Sequence, residues 1–246
     1  ESFQLKIWRL TAQIVRTSHY YAISSYVAKS WARYTGLDLN GIHLIHNGIN
    51  DAAFMAQPDR ENVENEFDLP PDSRIILFVG RLDQFKGVDT ALEAVGPLLK
   101  QKNLVLIYIG HEERSDSEAS SMLDTVFTKV RDEGWNSRVR FLGRREDVFR
   151  LMASSDILVH PAHTEGFGLV LAEAMATGLP IVASHVDGIP EVLSGSAAIL
   201  IPPNDPMTLR ESVLHVLDWD STERSLAIQK GRRRAADFRT SKRTMT

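Results

Sequence analysis

With 246 residues, 43% of them hydrophobic and 24% charged, the chain has the composition of an ordinary globular protein, and its net charge of -4 gives no basis for nucleic-acid binding. It contains no cysteine, which excludes disulfides, thiolate catalysis and Cys-ligated zinc. The first residues show no signal-peptide pattern, and the most apolar stretch is interrupted by Glu173, Gly178 and Pro180, so we expect a soluble, cytoplasmic protein.

The first 73 residues do not resemble the rest of the chain. They predict a helix over residues 1–16, a short strand in SHYYAISS, a helix in SYVAKSWARYTG and a strand in IHLIHNGIN that ends in an Asn-Gly turn. Residues 55–74 are polar and contain prolines, which is typical of a connector. We interpret residues 1–50 as the tail of a preceding domain, or an appendage on the main one, and residues 51–73 as a linker.

From residue 74 onward, short apolar runs alternate with helical patterns. The runs are typical of strands buried on both faces: RIILFVG, LVLIYIG, RVRFLG, DILVHPA, PIVASH and AAILIPP. The segments between them carry apolar residues at spacings of three and four, as amphipathic helices do. This order predicts an α/β fold with a doubly wound, mainly parallel sheet, completed by two C-terminal helices in DPMTLRESVLHVLDWD and STERSLAIQKGRRRAADF.

In such a sheet, ligands bind beyond the carboxyl ends of the strands. Arg81 and Lys86 follow the first predicted strand of this sheet and lie beside a helix start, an arrangement that suits an anion and most naturally a diphosphate. The remaining residues that follow the strands are mostly glycine or polar: Gly80, Gly87, Gly110, His111, Gly143, Arg144, Arg145, Asp147, His163, Thr164, His185, Asp187 and Gly188.

Two carboxylates lie on either side of a glycine-rich turn at the same edge. Glu165 precedes Gly166-Phe167-Gly168, and Glu173 falls on the second turn of the helix that follows. Carboxylates in these places can accept hydrogen bonds from hydroxyl-rich ligands such as a sugar or a ribose. Paired carboxylates could also perform acid–base hydrolysis, but a hydrolase does not need the anion site at Arg81 and Lys86.

Other suggestive patterns carry less weight. Asp218–Asp220 matches the short acidic motif of metal-dependent sugar transferases, but it ends a closing helix away from the ligand edge. The spacing of His160, His163 and His185 fits no standard metal-binding pattern. The basic run GRRRAADF lies at a helix end, where cations suit the helix dipole. We therefore expect no metal site, no nucleic-acid partner and no membrane contact through this run.

Five segments together resemble the C-terminal half of the family 4 retaining glycosyltransferases, which have the GT-B fold: FVGRLDQFKGVDTALEAV, VRFLGRRED, PAHTEGFGLVLAEAMATGLPIVAS, DGIPEVL and ILIPPNDPMTLRESV. The resemblance runs from about Ser18 to Thr246, with the segments in the family's order and spacing. Glu165 and Glu173 match its E-x7-E signature. The resemblance implies that residues 1–50 are a remnant of the family's N-terminal Rossmann-like domain with its hinge, and that residues 74–246 are the Rossmann-like, nucleotide-sugar-binding half of a larger enzyme.

The resemblance also implies roles for individual residues. Arg81, Lys86 and Glu165 would be catalytic: the two cations bind the donor diphosphate as the sugar leaves, and Glu165 contacts the sugar. Glu173 would bind the ribose hydroxyls, and the other donor-binding positions would be Gly80, Gly143, Arg144, Arg145, Asp147, Phe167, Gly168 and Leu169. The implied reaction is transfer with retention from a nucleoside-diphosphate sugar, without a metal or another cofactor. The acceptor could be a sugar, a lipid or a small molecule, and contact with the inner face of a membrane would come only through the domain that is missing here.

Two positions depart from the family pattern. Asn50 stands where the family usually has Asp, and Asp187 where it usually has the first of two glycines. Asp tolerates the left-handed backbone region better than most residues, so the loop can still form. Two alternative functions fit the same residues: a module that binds a nucleoside diphosphate without transferring a sugar, and another GT-B enzyme such as a sugar-nucleotide epimerase or a phosphorylase.

Overall fold

This computed structural model of the protein describes residues 19–101, 103–112 and 117–240. The described part begins with two short parallel strands, β1 (Tyr20–Ala22) and β2 (Ile42–Leu44), joined through helix α1 (Ser25–Thr35). The strand predicted in IHLIHNGIN is therefore only three residues long, and Ile49 forms an isolated bridge to Arg239 instead. The helix predicted over residues 1–16 lies outside the described residues.

The polar connector contains helical structure that the sequence pattern did not indicate. Helix α2 (Ala52–Met55) leads into it, and helix α3 (Arg60–Glu66) lies within it. Only Val63 of α3 is buried, so this short helix has no apolar periodicity from which it could be recognised. Its first residue, Arg60, pairs with Asp156 at 3.0 Å and so fixes the connector to the main sheet.

The centre of the molecule is a parallel sheet of six strands: β3 (Arg74–Val79), β4 (Leu104–Ile109), β5 (Val139–Phe141), β6 (Ile157–His160), β7 (Ile181–Ser184) and β8 (Ile199–Ile201). They pair in the order β5-β4-β3-β6-β7-β8. Along the chain, β4 and β5 add to one side of β3, and β6, β7 and β8 then add to its other side. The predicted doubly wound parallel sheet is confirmed, and the order reverses between β3 and β6, where such sheets bind their ligands.

Helices cover both faces of this sheet: α4 (Val88–Val95), α5 (Ser117–Asp132), α6 (Val148–Ala153), α7 (Leu169–Thr177), α8 (Ile189–Leu193) and the two closing helices α9 (Pro206–Leu217) and α10 (Ser221–Ala235). Alternate residues of β3 enter different cores, with Ile75 and Leu77 on one side and Ile76 and Phe78 on the other. Burial on both faces explains why the strands read as continuous apolar runs. No helix in the described ranges combines the length and the apolar character needed to cross a bilayer.

The acidic motif Asp218–Asp220 has a structural role. The Asp220 carboxylate accepts hydrogen bonds from the backbone N–H groups of Thr222 and Glu223, at 2.7 and 2.8 Å. The Glu223 carboxylate in turn accepts from the Asp220 N–H, which completes a capping box at the start of α10.

Asp156, just before β6, connects the connector helix to the sheet. Its carboxylate accepts hydrogen bonds from Arg74 at 2.9 Å, from Arg60 at 3.0 Å and from the N–H of Ile75 at 2.7 Å. Burial opposes ionisation, but these donors outweigh it and lower the pKa of Asp156 below its ordinary value of 3.8. The stability that Asp156 contributes is therefore present above that value and is lost as the pH falls below it.

Replacing this carboxylate should destabilise the fold. We expect Asp156→Asn to lower the free energy of unfolding at pH 7 by about 2 kcal/mol, because hydrogen bonds to a charged group contribute about 1.5–3 kcal/mol. Urea denaturation followed by circular dichroism measures the difference. Asp132→Asn is the control: Asp132 also pairs with an arginine, Arg131, but both side chains are more than 60% exposed and exposed pairs contribute little. An equal loss in the two variants would contradict the role given to Asp156.

Candidate functional site

A cavity of about 330 Å³ opens at the carboxyl ends of the central strands. Its wall comes from the loops after β3, β5 and β6 and from the first turns of α6 and α7. This is the edge of the sheet at which the sequence predicted a ligand. The lining residues are Val79, Gly80, Lys86, Glu146, Val148, Phe149, His160, Glu165, Leu169, Val170 and Glu173.

The loop after β3 holds Lys86 by its backbone. Asp83, which is 3% exposed, accepts a hydrogen bond from the Lys86 N–H at 2.9 Å and also pairs with Arg81 at 3.0 Å. Gly87, at φ +71°, lies so close to the chain after β6 that a Cβ on it would come 2.1 Å from the Pro161 carbonyl oxygen. A glycine is required there, and the contact brings Lys86 beside the end of β6.

Lys86 and Glu165 form an ion pair inside the cavity. The Lys86 Nζ lies 2.5 Å from Glu165 Oε2, and the His160 Nε2 lies 3.2 Å from the same oxygen. Burial opposes ionisation of Glu165, but the hydrogen bonds from His160 and Lys86 outweigh it and lower its pKa to about 2. Glu165 is therefore a carboxylate at any physiological pH.

Glu173 has the opposite electrostatic environment. It lines the same cavity from α7, and its partial burial among apolar residues raises its pKa from 4.5 to about 7. The pKa values of the two glutamates in one motif thus differ by several units, and Glu173 titrates near neutral pH.

Several predicted site residues lie beside the cavity and do not line it. The Arg81 side chain is about half exposed and pairs with the buried Asp83. Gly143 and Arg144 are exposed on the loop after β5, where the Gly143 carbonyl accepts a hydrogen bond from Gly110 at 2.9 Å.

Arg145 and Asp147 face the connector helix. The Arg145 guanidinium pairs with Asp147 at 2.8 Å and with Glu66 of α3 at 2.8 Å. Hydrogen bonding by Arg145, joined by Arg150, outweighs the effect of burial and lowers the pKa of Asp147 to about 2. Within the loop from Gly143 to Asp147, Glu146 is the residue that lines the cavity, so the prediction that this loop borders the ligand depends on Glu146.

The glycine-rich turn divides its residues between the core and the cavity. The Phe167 ring is 2% exposed and packs against Phe238 and His46, with ring centroids 5.4 and 5.7 Å away. Gly168 has φ +84° and directly precedes α7. The first residue of that helix, Leu169, lines the cavity.

Sequence reasoning missed three polar residues of the site. His160 and Glu146 line the cavity, and Asp83 joins the two cations of the loop after β3. The one sequence signal for His160 is its place at the end of a predicted strand. Within the described ranges, no three His, Asp or Glu side chains form a group that could hold a metal ion.

Comparison with known proteins gives consistent matches. Residues 73–218 match the family described as Glycosyl transferases group 1. The D-inositol 3-phosphate glycosyltransferase of Corynebacterium efficiens is 33% identical over 193 residues, which cover 75% of this chain and 45% of the relative. The crystal structure of Anabaena Alr3699/HepE in complex with UDP-glucose has a TM-score of 0.84 at 20% identity, covering 98% of this chain and 65% of that one.

A further solved structure matches over nearly its whole length. It is the C-terminal domain of a glycosyl transferase group 1 family protein from Francisella tularensis, with a TM-score of 0.66 at 22% identity, covering 77% of this chain and 97% of that one. The fold is thus the Rossmann-like half of the GT-B glycosyltransferases. The chain spans about 45% of the length of the curated relatives that it matches.

The raised pKa of Glu173 predicts a pH-dependent cost to stability. Its pKa is about 7 in the folded state and near 4.5 in the unfolded state, so the folded state holds the proton more tightly. The stability that this proton binding gives the fold is fully present below pH 4.5 and is lost as the pH rises through 7. Glutamine cannot ionise, so Glu173→Gln should raise the melting temperature by several degrees at pH 8 and by much less at pH 5. The size follows because one unit of pKa difference corresponds to about 1.4 kcal/mol, and a domain of this size gains about 2–4 °C per kcal/mol.

Differential scanning fluorimetry at the two pH values measures this difference. Glu146→Gln is the matched control, because Glu146 lines the same cavity but is exposed to solvent. A Glu173→Gln variant with the same gain at pH 5 and pH 8 would show that desolvation of this carboxylate is not the cause.

Proposed function

Because this chain belongs to the Glycosyl transferases group 1 family, we propose that it binds the nucleoside-diphosphate sugar donor of a retaining glycosyltransferase. The observation that carries the proposal is the ion pair between Lys86 and Glu165, 2.5 Å apart inside a cavity at the carboxyl ends of the parallel strands. It offers a cation for a diphosphate next to a carboxylate for sugar hydroxyls. The UDP-glucose bound by Anabaena Alr3699/HepE supports the same class of ligand.

Lys86 can serve Glu165 and the donor at the same time. An ammonium group has three N–H donors, so the hydrogen bond to Glu165 leaves two for phosphate oxygens. Because Glu165 and the Asp83-capped backbone already hold Lys86 in place, less side-chain entropy is lost when the diphosphate binds. Arg81, which pairs with Asp83 on the same loop, supplies the second cation.

The chemistry we assign to these residues is stabilisation of the leaving group. As the bond between sugar and diphosphate breaks, negative charge builds on the diphosphate, and Lys86 and Arg81 oppose it with fixed positive charge. Glu165 accepts hydrogen bonds from the sugar, assisted by the backbone N–H groups of Phe167, Gly168 and Leu169. In this proposal the two cations perform the task that a metal ion has in other transferases, and no further cofactor takes part.

The rest of the donor lies along the cavity. Glu173 accepts hydrogen bonds from the ribose hydroxyls in its ionised form, and the loop from Gly143 to Asp147 borders the base, with Glu146 facing the cavity. Since Glu173 titrates near pH 7, its ability to accept two such bonds is greatest in neutral to alkaline solution.

We also propose that residues 1–50 belong to the domain that binds the acceptor, with residues 51–73 as the linker and residues 74–246 as the donor domain. The pair β1 and β2 supports this division, because parallel strands are normally covered on both faces and Tyr21 in β1 is 62% exposed. On this view the 246-residue chain binds the donor but does not transfer the sugar, and any contact with a lipid acceptor or a membrane is made by the remainder of the protein.

Nucleotide binding tests the proposal directly. Isothermal titration calorimetry of the chain with UDP, GDP and ADP should find one that binds, and Lys86→Ala should weaken it about tenfold to a hundredfold, since a charge-assisted hydrogen bond contributes about 1.5–3 kcal/mol. Lys129→Ala, an exposed lysine of α5 that does not line the cavity, is the control and should leave the Kd unchanged. Absence of binding to all three, or an equal Kd in Lys86→Ala, would remove the basis of the proposal.

Product analysis on a protein of the relatives' full length then distinguishes the reaction classes. With a nucleotide sugar and a set of candidate acceptors, we expect mass spectrometry to find a glycoside and NMR to find the anomeric configuration of the donor retained. An altered sugar still attached to its nucleotide would indicate an epimerase. Nucleotide binding with neither product would indicate a binding module.

A further inference from the structure

Asp187 holds the backbone of Glu165. Its Oδ2 accepts hydrogen bonds from the Glu165 N–H at 3.0 Å and from the Thr164 hydroxyl. The next residue, Gly188, donates its N–H to the Glu165 carbonyl at 2.9 Å. Both backbone groups of Glu165 are therefore bound by the loop after β7.

The two loops meet through their backbones. A Cβ on Gly188 would lie 2.2 Å from the Gly166 carbonyl oxygen, so no side chain fits between the loop after β6 and the loop after β7 at this point. Asp187 has a left-handed backbone, with φ +50°, a conformation that Asp adopts more readily than most residues. This conformation allows one residue to place its carboxylate against the Glu165 N–H while the following glycine contacts the Glu165 carbonyl.

We propose that Asp187 is a positioning residue that determines where the Glu165 carboxylate lies in the cavity. Asp187 does not line the cavity, so it acts through Glu165 and not on the ligand. With the backbone held by Asp187, the side chain of Glu165 is held by Lys86 and His160, both through Oε2. We assign the other oxygen, Oε1, to the donor sugar, and in this respect the inference rests on the proposed function.

The same carboxylate connects Glu165 to helix α1. The nearby Asp187 carboxylate raises the pKa of the Tyr26 hydroxyl, on α1, above its ordinary value. Next to it, the Ser24 hydroxyl donates to the Gly166 carbonyl at 2.6 Å. The position of Glu165 therefore depends on how α1, which precedes the main sheet, packs against these two loops.

The test separates the sugar from the nucleotide. Asp187→Gly removes the carboxylate but keeps a residue that adopts φ +50° without strain, and Asp187→Asn keeps an acceptor oxygen. Calorimetry uses whichever of UDP-glucose, GDP-mannose and ADP-glucose the wild type binds, together with the matching nucleoside diphosphate. Asp187→Gly should weaken the nucleotide sugar about tenfold and the nucleoside diphosphate less than twofold, and Asp187→Asn should restore most of the loss.

Two further variants refine the result. Asn204→Gly replaces another residue of positive φ, +56°; Asn204 is exposed and lies outside the cavity, so this variant should change neither Kd. Tyr26→Phe removes only the hydroxyl and should produce a smaller loss in the same direction as Asp187→Gly. If Tyr26→Phe behaves as the wild type, the link to α1 is refuted.

A second measurement keeps the inference testable without a ligand. Hydrogen–deuterium exchange resolved at the Glu165 amide should be faster in Asp187→Gly than in the wild type, with Asp187→Asn between them. An unchanged exchange rate, an unchanged affinity for the nucleotide sugar, or equal weakening of both ligands would overturn the inference. Failure of the wild type to bind any nucleotide would instead refute the proposed function, and the exchange experiment would still decide whether Asp187 holds Glu165.

Discussion

The site depends on a single partly buried ion pair, Lys86 with Glu165. Removing two charges from water is costly, and such a pair is stable only when its geometry is good and its remaining polar atoms are satisfied. Three features of the fold provide this: Asp83 binds the Lys86 backbone, Gly87 packs directly on Pro161, and His160 shares the Glu165 oxygen. These features come from two segments far apart in the sequence, residues 83–87 after β3 and residues 160–165 at the end of β6, and they meet where the order of the parallel strands reverses.

Much of this architecture could be predicted from the sequence because it follows from local periodicity. Strands covered on both faces give continuous apolar runs, and this signal located all six strands of the main sheet. The parallel direction of the strands alone then places Lys86 and Glu165 at one edge of the sheet, since the carboxyl ends of parallel strands lie together. The two closing helices could be predicted from their periodicity in the same way. The capping residue of the second, Asp220, lies within Asp218–Asp220, a motif that could otherwise have suggested a metal site.

What could not be predicted depends on contacts between distant residues. His160 is a single polar residue at the end of an apolar strand, and nothing in its neighbours indicates that its ring reaches Glu165. Arg145 and Asp147 follow a strand as ligand-binding residues do, but Glu66 attracts the arginine towards α3, 79 positions earlier in the chain. That helix in turn gave no signal, because its one buried residue, Val63, cannot produce a periodic pattern.

The bracing of the loop after β5 by α3 has a consequence for how this protein can be divided. Arg150 pairs with Asp59 at 3.1 Å and with Glu66 at 2.5 Å, so one wall of the cavity derives its position from the segment that precedes the sheet. A chimaera that exchanged the parallel-sheet unit at residue 74 would leave this wall facing a foreign segment. A crossover placed before Asp59 would keep both of these ion pairs within one parent sequence, and the wall of the cavity with them.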